Sequence, residues 1–568
     1  MRISRRKAIG MAIACPALLS GKLASPQTSI PSSSSRQNCA GAGRNIAQGP
    51  FEPSWHSLKS QYRPPAWFSD AKFGIWAHWS PQCQPGFGTD HMNWYARNMY
   101  LQGHPAYDYH VRTYGHPSKV GFKDVIARWK ADKWDPDGLM DLYQAAGAKY
   151  FVALANHHEN FDTYASKYHE WNSTRIGPMK DIVGTWERIC KDRGLRFGVS
   201  NHSAHAWHFN QTAYGYDAEG PLAGVRYDGY REGAPLQSAP WSGLNPRKLY
   251  GKPSMVVPDG FTSAKEMLAW HERNDRIWDE NPPCDDREFT DNWFFRCQDL
   301  VDRYKPDLLY FDDTELPLGQ AGLDITAHFY NANTQWHRGR NEAVVFAKEL
   351  TPQHQGAVVL DLERGLANRI LDRPWQTDTC IGNWFYDQSV IKRHGYKTAK
   401  LVLQMLADIV SKNGNLLLSV PLMGDGSIDE DERRILKELA AWMKVNGEAI
   451  FETRPFRVYG EGPAKTADTG NFNEAKGTSF TGEDLRFTAK GEKIYIVALD
   501  WPAGGRLKCR SLARGSKTFH EEILRVELLG AEGPLRFDQN GDAMTVEIPM
   551  SHQTAMPVVL RVTMSRPI

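Results

Sequence analysis

Six short apolar runs, each ending in a His, Asp or Glu or in a polar turn, constrain the fold of this chain most. They are FGIWAH closing at His78, KYFVALANHH at His157 and His158, RFGVSNH at His202, DLLYFD at Asp312, AVVLDLE at Glu363, and NLLLSVP. Parallel strands buried on both faces have this continuous apolar look. In a closed (β/α) barrel their C-terminal ends converge on one mouth, so strand ends occupied by ionisable side chains point to an enzyme.

Helical patterns lie between these runs. Asp135 and Pro136 open one helix that stops near Gly147, and residues 179–193 form another with Ile182, Trp186 and Ile189 on one face. Residues 293–304, 400–411 and the stripe Ile435, Leu436, Leu439, Trp442, Met443 continue the alternation. After Pro455 the chain changes to short alternating runs such as EKIYIVAL and PVVLRVTM, the mark of an antiparallel sandwich. The expected class is α/β: a (β/α)8-like TIM barrel over residues 50–455 followed by a C-terminal β-sandwich over 456–568. Between His205 and Thr290 the pattern lapses into Gly, Pro, Tyr and Trp with one helix near 264–277, a length of irregular chain that usually serves function.

Lys+Arg 68 against Asp+Glu 66 leaves almost no net charge and no basic stripe, which argues against nucleic acid as partner. The start, MRISRRKAIGMAIACPALLSG, has a basic region with an Arg pair and a modest apolar stretch too short for a membrane span. Residues 1–49 are therefore expected to be a twin-arginine-like export signal and a flexible linker, placing the protein in the periplasm or outside the cell. The eight cysteines show no zinc-ligand spacing, although an oxidising compartment would permit a bridge such as Cys284 with Cys297.

Two carboxylates at one barrel mouth suit glycoside hydrolysis, in which one attacks the anomeric carbon and the other protonates the leaving oxygen. Asp312 and Glu363 are the candidates; Asp313 and Glu315 compete with Asp312, and either carboxylate could instead cap a helix or pair with Arg364. The histidines suit sugar hydroxyls or a metal. No H-x-H or H-E-x-x-H spacing occurs at these strand ends, so no metal or other cofactor is expected.

In order along the chain, WFSDAKFGIWAHWSPQCQPGFG, WYARNMY, AGAKYFVALANHHENF, GPMKDIVG, YKPDLLYFDD, IVSKNGNLLLSVP and NGEAIFET are similar to the segments of glycoside hydrolase family 29, the α-L-fucosidases. The resemblance covers residues 65–456. It implies an exo-acting, retaining α-L-fucosidase acting on fucosylated oligosaccharide or polysaccharide, with Asp312 as nucleophile and Glu363, ahead of Glu315, as acid/base. It further implies that His78, His157 and His158 hold sugar hydroxyls, with Tyr310 before the nucleophile and Trp79, Trp94 and Phe161 forming an apolar wall. Tyr95, His202 and Trp375 complete the expected binding set.

The chain departs from the family pattern at Asn93, Asn156, Glu159–Asn160, Asn201–His202 and Gln376, positions that surround the sugar without removing the nucleophile. The rival readings are another α-L-glycosidase such as an α-L-galactosidase, a metal-dependent hydrolase, and a sugar-binding protein without turnover.

Overall fold

The computed structural model describes residues 43–89, 94–230, 239–253, 256–274, 286–477 and 479–567. The expected export signal, Cys15, Cys39, Asn93 and Cys284 lie outside the described residues.

Eight parallel strands close into a barrel in sequence order: β1 Phe73–Ala77, β2 Tyr150–Asn156, β3 Arg196–Asn201, β4 Leu308–Thr314, β5 Val344–Lys348, β6 Val359–Glu363, β7 Trp375–Cys380 and β8 Gly414–Ser419. Six are the apolar runs of the sequence. The other two, β5 and β7, complete the ring, and β7 is WQTDTC, a buried strand with little apolar character. Closure comes from β1 against β8, with Ile75 opposite Leu418.

The helices form where their caps dictate. Asp135 accepts the amide of Gly138 at 3.0 Å and starts the helix Pro136–Ala145. Asp181 does the same for Gly184 at 2.9 Å, so the next helix spans Ile182–Asp192. It begins three residues later than the sequence pattern implied because Met179 is held at φ 55°, outside helical space. Arg287–Tyr304, Ala399–Ser411 and Glu430–Asn446 follow, the last opened by a capping box of Asp429 and Glu432. In the region of lapsed pattern the helix is Ala264–Asn274, among several short turns of helix. No helix among the described residues is long and apolar enough to cross a membrane.

Side chains fill the barrel in layers, as alternation along each strand requires. Near the closed end Tyr150 lies across the interior; a Cβ on Gly74 would meet its ring at 2.3 Å, so only glycine fits there. Tyr150 Oη donates to Gln376 Oε1 at 2.9 Å, and Gln376 Nε2 donates to Asp361 Oδ2 at 2.6 Å. One layer higher, Tyr310 Oη donates to Asp378 Oδ2 at 2.9 Å.

Beyond the barrel come a five-stranded antiparallel sheet and a three-stranded one. The first has the order β13 (Ile523–Leu528), β16 (Val558–Met564), β11 (Lys493–Ala498), β10 (Leu485–Lys490), β9 (Arg454–Glu461). The second runs β12 (Arg506–Cys509), β15 (Met544–Glu547), β14 (Phe537–Gln539). Phe487, Ile494 and Ile496 belong to a core between these sheets, while Tyr495 and Val497, on the opposite face of β11, join the core of the barrel. The two bodies are also tied by a buried ion cluster in which Asp408, on the helix Ala399–Ser411, meets Arg486 of β10 and Lys412 at 2.6 Å each.

Candidate active site

At the C-terminal ends of the strands one pocket is lined by Trp76, His78, Trp94, His157, His158, His202, Tyr310, Asp312, Lys348, Glu363, Asp378 and Trp384. Eight of the residues singled out in the sequence meet here: Asp312, Glu363, His78, His157, His158, His202, Tyr310 and Trp94. Asp313 is half-buried and does not line the pocket; Glu315 turns away to accept from Thr351 N and His354 Nδ1 at 3.1 and 2.7 Å.

Four expected binding residues lie elsewhere. Gly74, Trp76 and His78 point inward from β1, so Trp79, one position on, faces the helix layer and packs against Trp129 and Trp134. Phe161 joins that layer with its ring 6.0 Å from Trp129. Tyr95 Oη bonds His110 Nδ1 at 2.8 Å. Trp375 stands at the start of β7, at the closed end of the barrel, where its indole donates to Lys412 O at 2.9 Å. The apolar walls of the pocket are instead Trp76, Trp94 and Trp384.

Asp312 is the electrostatic centre. Its Oδ2 accepts from His158 Nε2 at 3.2 Å and His202 Nδ1 at 3.0 Å, and its Oδ1 lies 2.5 Å from Lys348 Nζ. The same ammonium is 2.5 Å from Glu363 Oε2. Burial would raise the Asp312 carboxyl, but Lys348, His202 and His158 more than reverse this and hold it well below the usual carboxylate range. Glu363 goes the other way: burial pushes it up to about 7, with Asp378 and Asp312 adding to the rise and Lys348 opposing it. The two carboxyls are thus driven apart, one ionised and one able to carry a proton near neutrality.

Burial lowers the pKa of His78, His157, His158 and His202, so the imidazoles are neutral and each offers a donor and an acceptor. Ser419 Oγ orients His78 through Nδ1 at 2.9 Å. Gln82 Nε2 and Glu159 Oε2 lie 3.2 and 3.3 Å from His157 Nδ1 and hold that ring in place. Asn156 fastens two histidine-bearing loops together: its amide nitrogen donates to Asp162 Oδ1 at 3.0 Å and its oxygen accepts from His202 N at 3.1 Å. Ligand atoms of His157, His158 and His202 lie within 4.8 Å of one another, a grouping that could hold a metal ion. Two of these rings, however, are engaged with Asp312, which an ion would have to displace.

Lys348, Asp378, Trp76 and Trp384 were not singled out in the sequence. Burial, then the neighbouring Asp361, raises the Asp378 carboxyl well above the usual carboxylate range. Lys348 closes the run AVVFAK of β5, the same apolar-run-then-ionisable pattern as the other strands, and that signal would have found it.

A family model described as Alpha-L-fucosidase matches residues 39–448, and one described as Alpha-L-fucosidase C-terminal domain matches 479–564. Human tissue alpha-L-fucosidase is 26% identical over 530 residues, covering 91% of this chain and 92% of its own. Human plasma alpha-L-fucosidase is 24% identical over 521 residues, covering 89% and 90%. The crystal structure of Thermotoga maritima alpha-fucosidase in complex with fucose shares the fold, with a TM-score of 0.65, 24% identity, and coverage of 90% of this chain and 100% of that one.

Proposed function

This chain belongs to the α-L-fucosidase family, and from that premise we propose that it hydrolyses terminal α-L-fucosyl residues of glycans by a retaining double displacement, with Asp312 as nucleophile and Glu363 as acid/base. The observation that carries the assignment is the shared ammonium. Two oxygens each 2.5 Å from Lys348 Nζ lie no more than twice that distance apart. Retaining pairs are separated by about 5–5.5 Å, whereas inverting pairs need roughly 6.5–9.5 Å to admit a water.

In the first step an Asp312 oxygen forms a bond to C1 of the fucosyl residue while the bond from C1 to the leaving oxygen breaks. Glu363 gives its proton to that oxygen, which supports the step because the group holds a proton up to about pH 7. In the second, the Glu363 carboxylate takes a proton from water, the hydroxyl attacks C1, and Asp312 leaves as the carboxylate its histidines and lysine favour. Neutral His78, His157, His158 and His202 supply hydrogen bonds to the sugar hydroxyls, and the three tryptophans face its apolar edges. The basic and apolar start of the chain supports export, which fractionation of the producing cells tests.

The deciding experiment replaces the nucleophile. Asp312→Gly is expected to lose nearly all turnover of an aryl α-L-fucoside and to regain part of it with added azide, yielding fucosyl azide of inverted configuration. Full activity in that variant would remove Asp312 from the reaction. A parallel panel with aryl α-L-galactoside separates the sugar specificity from the chemistry.

A further inference from the structure

Between β9 and β10 the chain leaves the C-terminal sheet, and residues 468–474 return to the barrel to pair with the segment that follows β6. Glu363 N donates to Asn471 Oδ1 at 3.0 Å and Phe472 N donates to Glu363 O at 2.8 Å, so both backbone polar groups of the assigned acid/base are held from outside the barrel. Next along the seam, Glu474 N donates to Arg364 O at 3.0 Å, and Leu366 N to Asn473 Oδ1 at 2.6 Å. The Glu474 carboxylate anchors the stretch on Arg364 Nε and Thr379 Oγ1, both at 2.7 Å. This segment falls between the two stretches matched by family models.

The tight seam presents one large apolar side chain to solvent. Phe472 is 49% exposed, although its backbone is bonded to Glu363, whose carboxyl lines the pocket. Its φ of 51° lies in the left-handed region that a bulky aromatic seldom adopts, and the strain persists because the neighbouring seam bonds fix the turn. Beside it, Asn471 Nδ2 reaches Glu349 Oε1 at 3.3 Å, and Glu349 is itself exposed immediately after Lys348. An exposed aromatic ring next to an amide and a carboxylate is the composition that binds a pyranose: the ring covers an apolar sugar face while the polar pair meets hydroxyls.

We propose that Phe472, Asn471 and Glu349 form the leaving-group subsite, in which the Phe472 ring stacks on the neutral sugar that carries the fucosyl residue. The inference rests on the fucosidase reaction proposed above, because the oxygen protonated by Glu363 belongs to the leaving sugar and so places that sugar on the Glu363 side. The carboxylate of Glu349 makes the subsite selective for neutral sugars over sulfated or uronic ones. The C-terminal body thereby contributes a specificity element to the barrel's active site.

The test compares kcat/KM on a neutral fucosylated disaccharide with kcat/KM on α-L-fucosyl fluoride, which has no leaving sugar. In Phe472→Ala the disaccharide-to-fluoride ratio is expected to fall about tenfold, and Phe472→Trp to restore it. In Glu349→Gln the preference for the neutral disaccharide over its sulfated form is expected to narrow. An unchanged ratio in Phe472→Ala, or an equal loss on both substrates, would overturn the subsite. Failure of the wild-type protein to turn over the fluoride would overturn the fucosidase reading itself.

Discussion

Lys348 Nζ sits 2.5 Å from Asp312 Oδ1 in a pocket that leaves both side chains about nine-tenths buried. An ammonium held between two carboxyls lowers the pKa of both, helping to keep Asp312 ionised and restraining the rise of Glu363. Without it, two carboxyls at this distance cannot both ionise. In Lys348→Met both limbs of the kcat/KM profile are expected to move to higher pH, and the maximum to fall about ten- to a hundredfold, the worth of a charge-assisted hydrogen bond. A reduced rate with an unmoved pH profile would show that the lysine only packs the site.

In the proposed reaction Glu363 sets the basic limb. Its proton is required for departure of the leaving group, and burial places its loss near pH 7, so kcat/KM in the wild-type protein is expected to fall as pH rises through about 7. Asp312 is held below the usual carboxylate range and must be ionised to attack, so the acidic limb lies below that range. In Glu363→Gln the basic limb should vanish, with turnover of a poor leaving group falling roughly a hundredfold or more and an activated aryl fucoside losing far less. Equal losses on the two substrates would make Glu363 a binding residue.

How much of this was legible in the sequence depended on which force set each position. Strand ends whose burial is apolar announced themselves, which is why Asp312, Glu363 and the four histidines could be read directly. Strand β7 was hidden because its inward residues, Gln376 and Asp378, are polar and satisfied only by partners on other strands, so no apolar run exists to find. Trp79 and Phe161 were misplaced because motif proximity gives no facing, and a single step along the chain sends a side chain to the helix layer. The stretch 468–474 left no trace, since its pairing with 363–368 joins residues about a hundred positions apart through scattered backbone bonds and the side chains of Thr469, Asn471 and Asn473 rather than any periodic pattern.

The cluster of His157, His158 and His202 gives the metal-dependent alternative a concrete test. Each step of the proposed reaction moves protons and bonds through Asp312, Glu363 and water. Exhaustive dialysis against a chelator is therefore expected to leave kcat unchanged, with no stoichiometric metal detected by elemental analysis. Loss of turnover that returns on adding zinc would replace the double displacement with a metal-centred mechanism.

Gly365 decides whether the seam does more than hold two bodies together. A Cβ at this position would stand 2.4 Å from Gly470 O and 2.9 Å from Leu362 Cβ, and the first contact is backbone that cannot rotate away. Gly365→Ala must therefore push residues 468–474 off the end of β6, releasing the bonds from Asn471 and Phe472 to the backbone of Glu363. The overpacking is expected to cost about 1–3 kcal/mol, seen as a lower unfolding midpoint in a thermal melt. If the seam aims the acid, the surviving folded enzyme should lose more kcat on fucosides with poor leaving groups than on activated ones. A lower melting temperature with the leaving-group dependence unchanged would mean that Glu363 is positioned by the barrel alone.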